Sequence, residues 1–321
     1  MRRMSLSLDL DNLWSYIKTS GDSSWQGYPS YLNLFVPRML DILDETCLKI
    51  TFFIVGKDAE QKEHRDIMKA ITGRGHEVGN HSYSHEPWMG FNEKDRFRKE
   101  ISTAEEHIFA ATGQKPIGFR GPGYLWSVTY LSVLAESGYI YDASTLPTFI
   151  GPLARYYYFR KSMLSAEEKT ARGALFGSFR DGLKPNDPYL CVLPGGKSIL
   201  EMPVTTMPVF RIPFHLSYLF YVRRYSAFLA HFYLKMAVTM CRLTGTNLSF
   251  LLHPLDLLGG DDVPALSFFP GMDLSGVEKI KIFKNSMRLL LKYYTIVGMS
   301  QHAEELLRNG NIRQIELKED H

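Results

Sequence analysis

Cysteine is scarce in this chain of 321 residues. Cys47, Cys191 and Cys241 lie far apart and make no metal-spaced pair, so a disulfide framework is excluded and a reducing compartment is the expected setting. Neither sign of charge dominates. The chain has 37 basic and 34 acidic residues, a net charge of +3, and nucleic acid, which calls for a pronounced basic surplus, is excluded as a partner. Long uncharged apolar runs are missing too. No run reaches the roughly 18 apolar residues of a membrane-spanning helix. The opening Met1-Arg2-Arg3-Met4 passes at once into Ser5-Leu6-Ser7-Leu8-Asp9. That leaves no room for the apolar region of about 7–15 residues that a secretory signal needs, and a cytoplasmic location is expected. Internal repeats and low-complexity segments are also absent.

What is present is a succession of short apolar runs and longer amphipathic stretches. Leu6-Ser7-Leu8 leads into an acidic cluster. Residues 30–46 carry Leu32, Leu34, Met39, Leu40 and Leu43 near helical spacing. Residues 49–55 read as a strand ended by Gly56, and a helix follows to about Thr72, where Gly73 and Gly75 break it. Residues 76–80 form a short strand running into His81, and 93–112 a charged amphipathic helix with Gly113 just past its end. Strands at 117–120, 139–142, 199–204, 248–252 and 294–297, with a helix at 128–137, continue the rhythm. This alternation predicts a parallel α/β architecture in a single domain over 1–321. Residues 147–200 interrupt it with Gly and Pro clusters and the run Tyr156-Tyr157-Tyr158-Phe159, and read as an insertion or lid. Asp9, His81, Arg120, Asp142 and His253 each follow a strand run, and in an α/β barrel the chemistry gathers at that end of the strands.

His81-Ser82-Tyr83-Ser84-His85 points to a metal. Two histidines four apart share one face of a helical turn, about 5–6 Å between Cβ atoms, so both imidazoles reach one ion. A zinc hydrolase takes about three protein ligands and keeps one position for water, and Asp9-Leu10-Asp11 offers two carboxylates for the third. A bound cation acidifies that water, and a neighbouring carboxylate helps remove its proton. His253 is available to protonate a leaving amine. Each feature also has a plain structural reading: a packing coincidence for the histidine pair, a turn or cap for Asp-x-Asp, a salt bridge for Arg120, a core histidine for His253. Their common placement after apolar strands favours the chemistry.

The ordered set Ser7-Leu8-Asp9-Leu10-Asp11-Asn12, His81-Ser82-Tyr83-Ser84-His85, Arg120-Gly121-Pro122-Gly123-Tyr124 and Leu251-Leu252-His253-Pro254 resembles the motifs of the NodB-type polysaccharide deacetylases. The resemblance runs from about residue 8 to about 300 and implies a distorted (β/α) barrel. It implies that Asp9 is the general base, that Asp11, His81 and His85 hold a divalent metal, that Arg120 orients the base and that His253 is the general acid. It also implies an oxyanion donor in the backbone near Gly123 and Tyr124, and a supporting role for Asp142. Zinc is the first expectation, and cobalt, manganese or nickel suit the same ligands. The family's usual motif has two adjacent aspartates followed by glycine, whereas here Leu10 separates Asp9 from Asp11. Strand alternation still puts both on one face, but leaves open which is base and which is ligand. The Asp-x-Asp form is similar to that of deformylases acting on formamido-arabinose phosphoundecaprenol, a lipid-linked sugar.

Residues 207–243 are dense in aromatic and apolar side chains with Arg211, Arg223, Arg224, Lys235 and Arg242 interspersed. They read either as a helical segment lying on an anionic leaflet or as a buried barrel helix with a basic outer edge. The expected function is removal of an N-acetyl or N-formyl group from an amino sugar of a lipid-linked or other intracellular glycan precursor, with peripheral contact on the inner leaflet. A deacetylase of soluble oligosaccharides and a cyclic amide hydrolase are alternatives within the same chemistry. A non-catalytic carbohydrate-binding barrel is the alternative of a different class, and it is disfavoured because Asp9, Asp11, His81, His85, Arg120 and His253 are all present.

Overall fold

The first strand follows from its alternation. β1 (Arg2–Asp9) sends Met4, Leu6 and Leu8 into the main hydrophobic core, which Leu10 joins just beyond it. Ser5, Ser7 and Asp9 take the opposite face, as the two-residue period of a strand requires, and they too are buried. The structure, a computed structural model, describes residues 2–87, 94–162, 164–173 and 177–318. Residue 93, where the sequence places the start of a helix, lies outside them.

The remaining strands are β2 (Thr51–Ile54), β3 (Glu77–Asn80), β4 (Gly118–Phe119), β5 (Tyr141–Asp142), β6 (Tyr189–Val192), β7 (Ser198–Glu201), β8 (Leu248–Leu252), β9 (Tyr294–Val297) and β10 (Arg313–Glu316). They form one sheet in the order β10-β6-β7-β5-β4-β3-β2-β1-β8, with β9 also on β1. Every pairing is parallel except β6 with β7. No ladder joins β7 to β8 among the described residues, but Thr205 bridges them. Its N–H donates to the Ser249 carbonyl at 3.0 Å, and its Oγ1 accepts from the Ser249 N–H at 2.8 Å. The result is the expected α/β fold, curled around a lumen with one seam that is not a strand pairing. Phe53, Tyr141 and Met299 fill the lumen floor in a cluster separate from the outer core. Gly79 and Gly118 make room for them: a Cβ on Gly79 would overlap the Phe53 ring, and one on Gly118 the Tyr141 ring.

The helices of the outer layer are α1 (Leu13–Ser20), α2 (Leu32–Glu45), α3 (Gly56–Glu60), α4 (Arg65–Gly73), α5 (Lys94–Thr112), α6 (Val128–Glu136), α7 (Gly151–Lys161), α8 (Ala166–Ala171), α9 (Leu216–Arg223), α10 (Ala227–Thr244), α11 (Gly276–Leu291) and α12 (Met299–Asn309). Caps fix several ends. Asn12 accepts from the first N–H of α1, and Gly21 closes that helix in the left-handed region. Ser226 and Gly245 do the same for α10, each polar cap contributing about 1 kcal/mol. The helix expected up to Thr72 is broken into α3, a short 3-10 turn and α4, because the Gln61 backbone is extended. The 147–200 insertion is more regular than its composition suggests. It holds α7, α8 and β6, and Tyr158 and Arg172 both donate to the Thr19 carbonyl at the end of α1. The 207–243 segment divides. Residues 207–212 form a tight loop, and α9 and α10 follow. The inner face of α10, with Ala230, Leu234, Ala237, Val238 and Cys241, is buried.

Candidate active site

The lumen mouth collects the residues that the strand ends deliver. Asp11 Oδ1 lies 3.3 Å from His81 Nε2 and 3.0 Å from His85 Nε2. Ligands about 2.0–2.2 Å from a tetrahedral ion stand about 3.3–3.5 Å apart, so the spacing fits a cation between them. Two further observations test the fit. Buried Asp11 Oδ1 makes no well-formed hydrogen bond among the described residues. His81 Nδ1 faces the Arg120 carbonyl at 2.6 Å, which leaves Nε2 free to bind a metal, the usual arrangement for a ligating histidine. Burial opposes ionisation of Asp11, but His85 and His81 outweigh it and hold the carboxyl well below its ordinary value. Burial likewise opposes a charge on His81, and Asp9 and Asp11 override it, raising the imidazole.

The two histidines are not on a helical turn, contrary to the spacing argument. β3 ends at Asn80, and the chain bends through Ser82 (φ 62°) and His85 (φ 49°), both in the left-handed region. Such conformations cost energy in non-glycine residues and persist only where surroundings impose them. Here Asn80 Oδ1 accepts from Ser82 N–H at 2.9 Å, and Glu100 accepts from Ser84 N–H at 2.5 Å. Gly56 N–H donates to the Ser82 carbonyl at 2.9 Å. The acidic turn is pinned as firmly: Tyr31 Oη donates to the Asp11 carbonyl, and Asn12 and Trp14 both donate to Asp58 Oδ1. Asp58 was not foreseen. Burial lifts its carboxyl to about 6.

Asp9 faces a different set of partners. Arg120, fully buried, donates from Nη1 to Asp9 Oδ1 at 2.7 Å and to Ser7 Oγ at 2.9 Å, and from Nε to the Ala143 carbonyl at 3.0 Å. Its guanidinium lies over the Phe53 ring, 4.3 Å from the centroid. His253 Nε2 stands 3.9 Å from Asp9 Oδ2, and its Nδ1 stands 4.0 Å from Asp256 Oδ2. The structure therefore sorts the two aspartates: Asp11 joins the histidines, and Asp9 lies between Arg120 and His253.

Gly123 (φ 62°) and Tyr124 (φ 65°) turn the chain at the lumen mouth. Tyr124 N–H is taken by the Gly121 carbonyl at 3.2 Å, while no acceptor sits on the Gly123 N–H among the described residues. Asp142 does not face the histidine cluster. It binds Ser144 Oγ at 2.6 Å, and that oxygen accepts from Gly121 N–H at 2.7 Å. Burial and the charge of neighbouring Asp142 push Glu201 well above the usual carboxyl range. Asp142 is thus a brace behind the Arg120–Tyr124 turn. His215 is a second residue missed in the sequence. It is buried 6.4 Å from His253, ring centre to ring centre, and burial first, then His253, lowers it to about 3. Its neighbours Phe214 and Leu216 give it no distinguishing context.

A carboxylate–dihistidine cluster at the strand ends of a parallel α/β barrel is the class of site this structure defines. Comparison with known proteins narrows it. The polysaccharide deacetylase family model matches residues 22–141, a stretch that holds His81, His85, Arg120 and Gly123. The peptidoglycan-N-acetylglucosamine deacetylase of Bacillus cereus is 39% identical over 88 residues, 27% of this chain and 31% of that protein. The peptidoglycan-N-acetylmuramic acid deacetylase PdaA of Bacillus subtilis is 29% identical over 110 residues, 34% of this chain and 41% of that protein. The chain thus spans well under half the length of these curated relatives. A Mycobacterium smegmatis protein assigned to the polysaccharide deacetylases shares the fold, with a TM-score of 0.60 at 19% identity over 99% of this chain and 95% of the other. Over residues 22–141 the chain is thus similar to polysaccharide deacetylases, and the solved structure shows the shared fold.

Proposed function

We propose that this chain is a metal-dependent hydrolase that removes an N-acetyl or N-formyl group from an amino sugar of a lipid-linked or other glycan precursor. The observation that carries this reading is the sorting of the acidic pair, Asp11 with two imidazoles and Asp9 with Arg120 and His253. Asp11, His81 and His85 would hold the cation, zinc or another divalent metal. Such an ion polarises a carbonyl and brings the pKa of a water toward about 7. Asp9, kept in place by Arg120, accepts the proton of the attacking water. The oxygen adds to the amide carbon, and the Gly123 N–H donates to the developing oxyanion. His253, oriented by Asp256, delivers a proton to the nitrogen as the C–N bond breaks, releasing the free amine and acetate or formate. The 147–200 segment is read as a lid whose α7 and α8 rest on α1.

Metal content and product release, measured together, test the reading. Asp11→Asn is expected to lose both. Asp9→Asn is expected to keep the metal and lose turnover by about 10²–10⁴-fold, the usual share of a general base. Acetate and formate are assayed from undecaprenyl-phosphate amino sugars and from chito-oligosaccharides. Release from the soluble glycan alone would retain the chemistry and reject the lipid-linked substrate. Metal retained in Asp11→Asn would reject the ligand assignment.

A further inference from the structure

We propose that the outer face of α10, together with the cleft it shares with α11 and the 207–212 loop, docks on an anionic lipid bilayer. Between Glu201 and Asp256 the chain contains no acidic residue, while Arg211, Arg223, Arg224, Lys235 and Arg242 fall within that stretch. On α10 three stripes run side by side. Phe228 (73% exposed) and Phe232 (54%) stack on each other along the outermost line, 6.5 Å between centroids. Helical spacing puts His231 and Lys235 on one flank of that line and Leu229 and Tyr233 on the other.

The first flank opens into a cleft of about 340 Å³ lined by His231, Lys235, Asn285, Arg288 and Lys292, among others. No carboxylate lines it, so its chemistry suits a phosphate group, with Arg288 as a planar donor and the lysines as point charges. The second flank meets the 207–212 loop, because Tyr233 Oη donates to the Pro213 carbonyl at 2.8 Å. That loop holds Val209 (77% exposed) and Phe210 (58%) in water, with Val209 and Arg211 at positive φ. It is braced rather than slack: Met207 N–H donates to the Ile212 carbonyl, and Thr148 donates to the Arg211 carbonyl. Aromatic side chains held out beside a cationic cleft match the two contributions of an interfacial surface, apolar insertion and attraction to anionic headgroups. A second copy of the chain is the poorer occupant, since a two-fold contact would set this cationic, carboxylate-free cleft against itself. The loop leads within a few residues to His215, which is buried beside His253. The docking surface does not depend on the reading of the site given above.

Flotation of the full chain without substrate tests the docking independently of catalysis. Vesicles of phosphatidylcholine alone are compared with vesicles containing phosphatidylglycerol, at low and high salt. Binding is expected only with the anionic lipid and is expected to weaken with salt. Phe228→Ser with Phe232→Ser should lower partitioning at least about tenfold. Lys235→Gln and Arg288→Gln should each cost about fivefold. Thermal unfolding of these variants should match wild type, because the altered side chains are exposed. Equal binding to both vesicle types, or none, overturns the proposal. So does self-association that is lost in the phenylalanine variant without any vesicle binding. A chain that floats as expected but releases no amine would keep the docking surface and reject the catalytic reading.

Discussion

Arg120 shows how one side chain ties the fold to the candidate site. It is fully buried, and it crosses the lumen from β4 to touch Ser7 and Asp9 on β1 and the backbone after β5. Arg120→Met removes the partner of a nearly buried carboxylate and should destabilise the protein by about 3–5 kcal/mol, read by urea denaturation. Arg120→Lys keeps the charge but not the fork of donors, and should lower kcat more than stability. The pair behind it sets a pH dependence. Glu201 is raised by burial and by the charge of Asp142, so the native state keeps a proton that the unfolded chain releases. Its contribution is therefore present below the ordinary carboxyl value and is lost as pH rises toward the raised native one. Glu201→Gln should flatten the loss of urea stability across that window. The acidic and histidine motifs were legible in the sequence because each follows an apolar strand. The brace made by Asp142, Ser144 and Glu201 was not, because a buried hydrogen-bonded carboxyl leaves no periodic trace, and neither Asp58 nor His215 sits in a patterned context.

At the level of elements, short strands were readable despite their length. β4 and β5 have two residues each, yet the apolar runs around them and the glycine breaks located both. The bend through Ser82 and His85 was not readable, because four-residue spacing predicts a helical turn, while the left-handed alternative is imposed by the Asn80 side chain together with tertiary hydrogen bonds to Glu100 and from Gly56. β6 and β10 lay in stretches whose pattern competes with loop residues, and they escaped for that reason. Gly118 owes its place to the Tyr141 ring beneath it. Gly118→Ala should cost about 1–3 kcal/mol through overpacking, measured by thermal unfolding, and Tyr141→Leu in the same chain should recover part of the loss. The seam at Thr205 is a second weak point. Thr205→Val removes the acceptor of the Ser249 N–H and should cost about 1–3 kcal/mol, the penalty of an unsatisfied buried donor. Faster amide exchange at Ser249 would report it directly.

For the whole molecule, the alternation of strands and helices was enough to predict a parallel α/β architecture, while the barrel and the place of its mouth came from the resemblance of the ordered motifs. Metal binding should stabilise the folded chain by about 2.7 kcal/mol at a hundred times the dissociation constant. A rise in thermal midpoint with added zinc, absent in Asp11→Asn, is the expected sign. The chain order of the strands carries a further meaning for assembly. β1 precedes the other strands in the chain, and it pairs with β2 on one edge and with β8 on the other. Asp11, His81 and His85 are all synthesised before Arg120, while His253 and the Thr205–Ser249 seam come much later. A nascent chain that has emerged past Arg120 already owns the three candidate ligands and the β1–β4 ladder, but neither proton donor nor closure. An ion caught at that stage would act as a clasp on the growing half-barrel, holding β1 and β3 in register until the last third of the chain arrives to complete the ring.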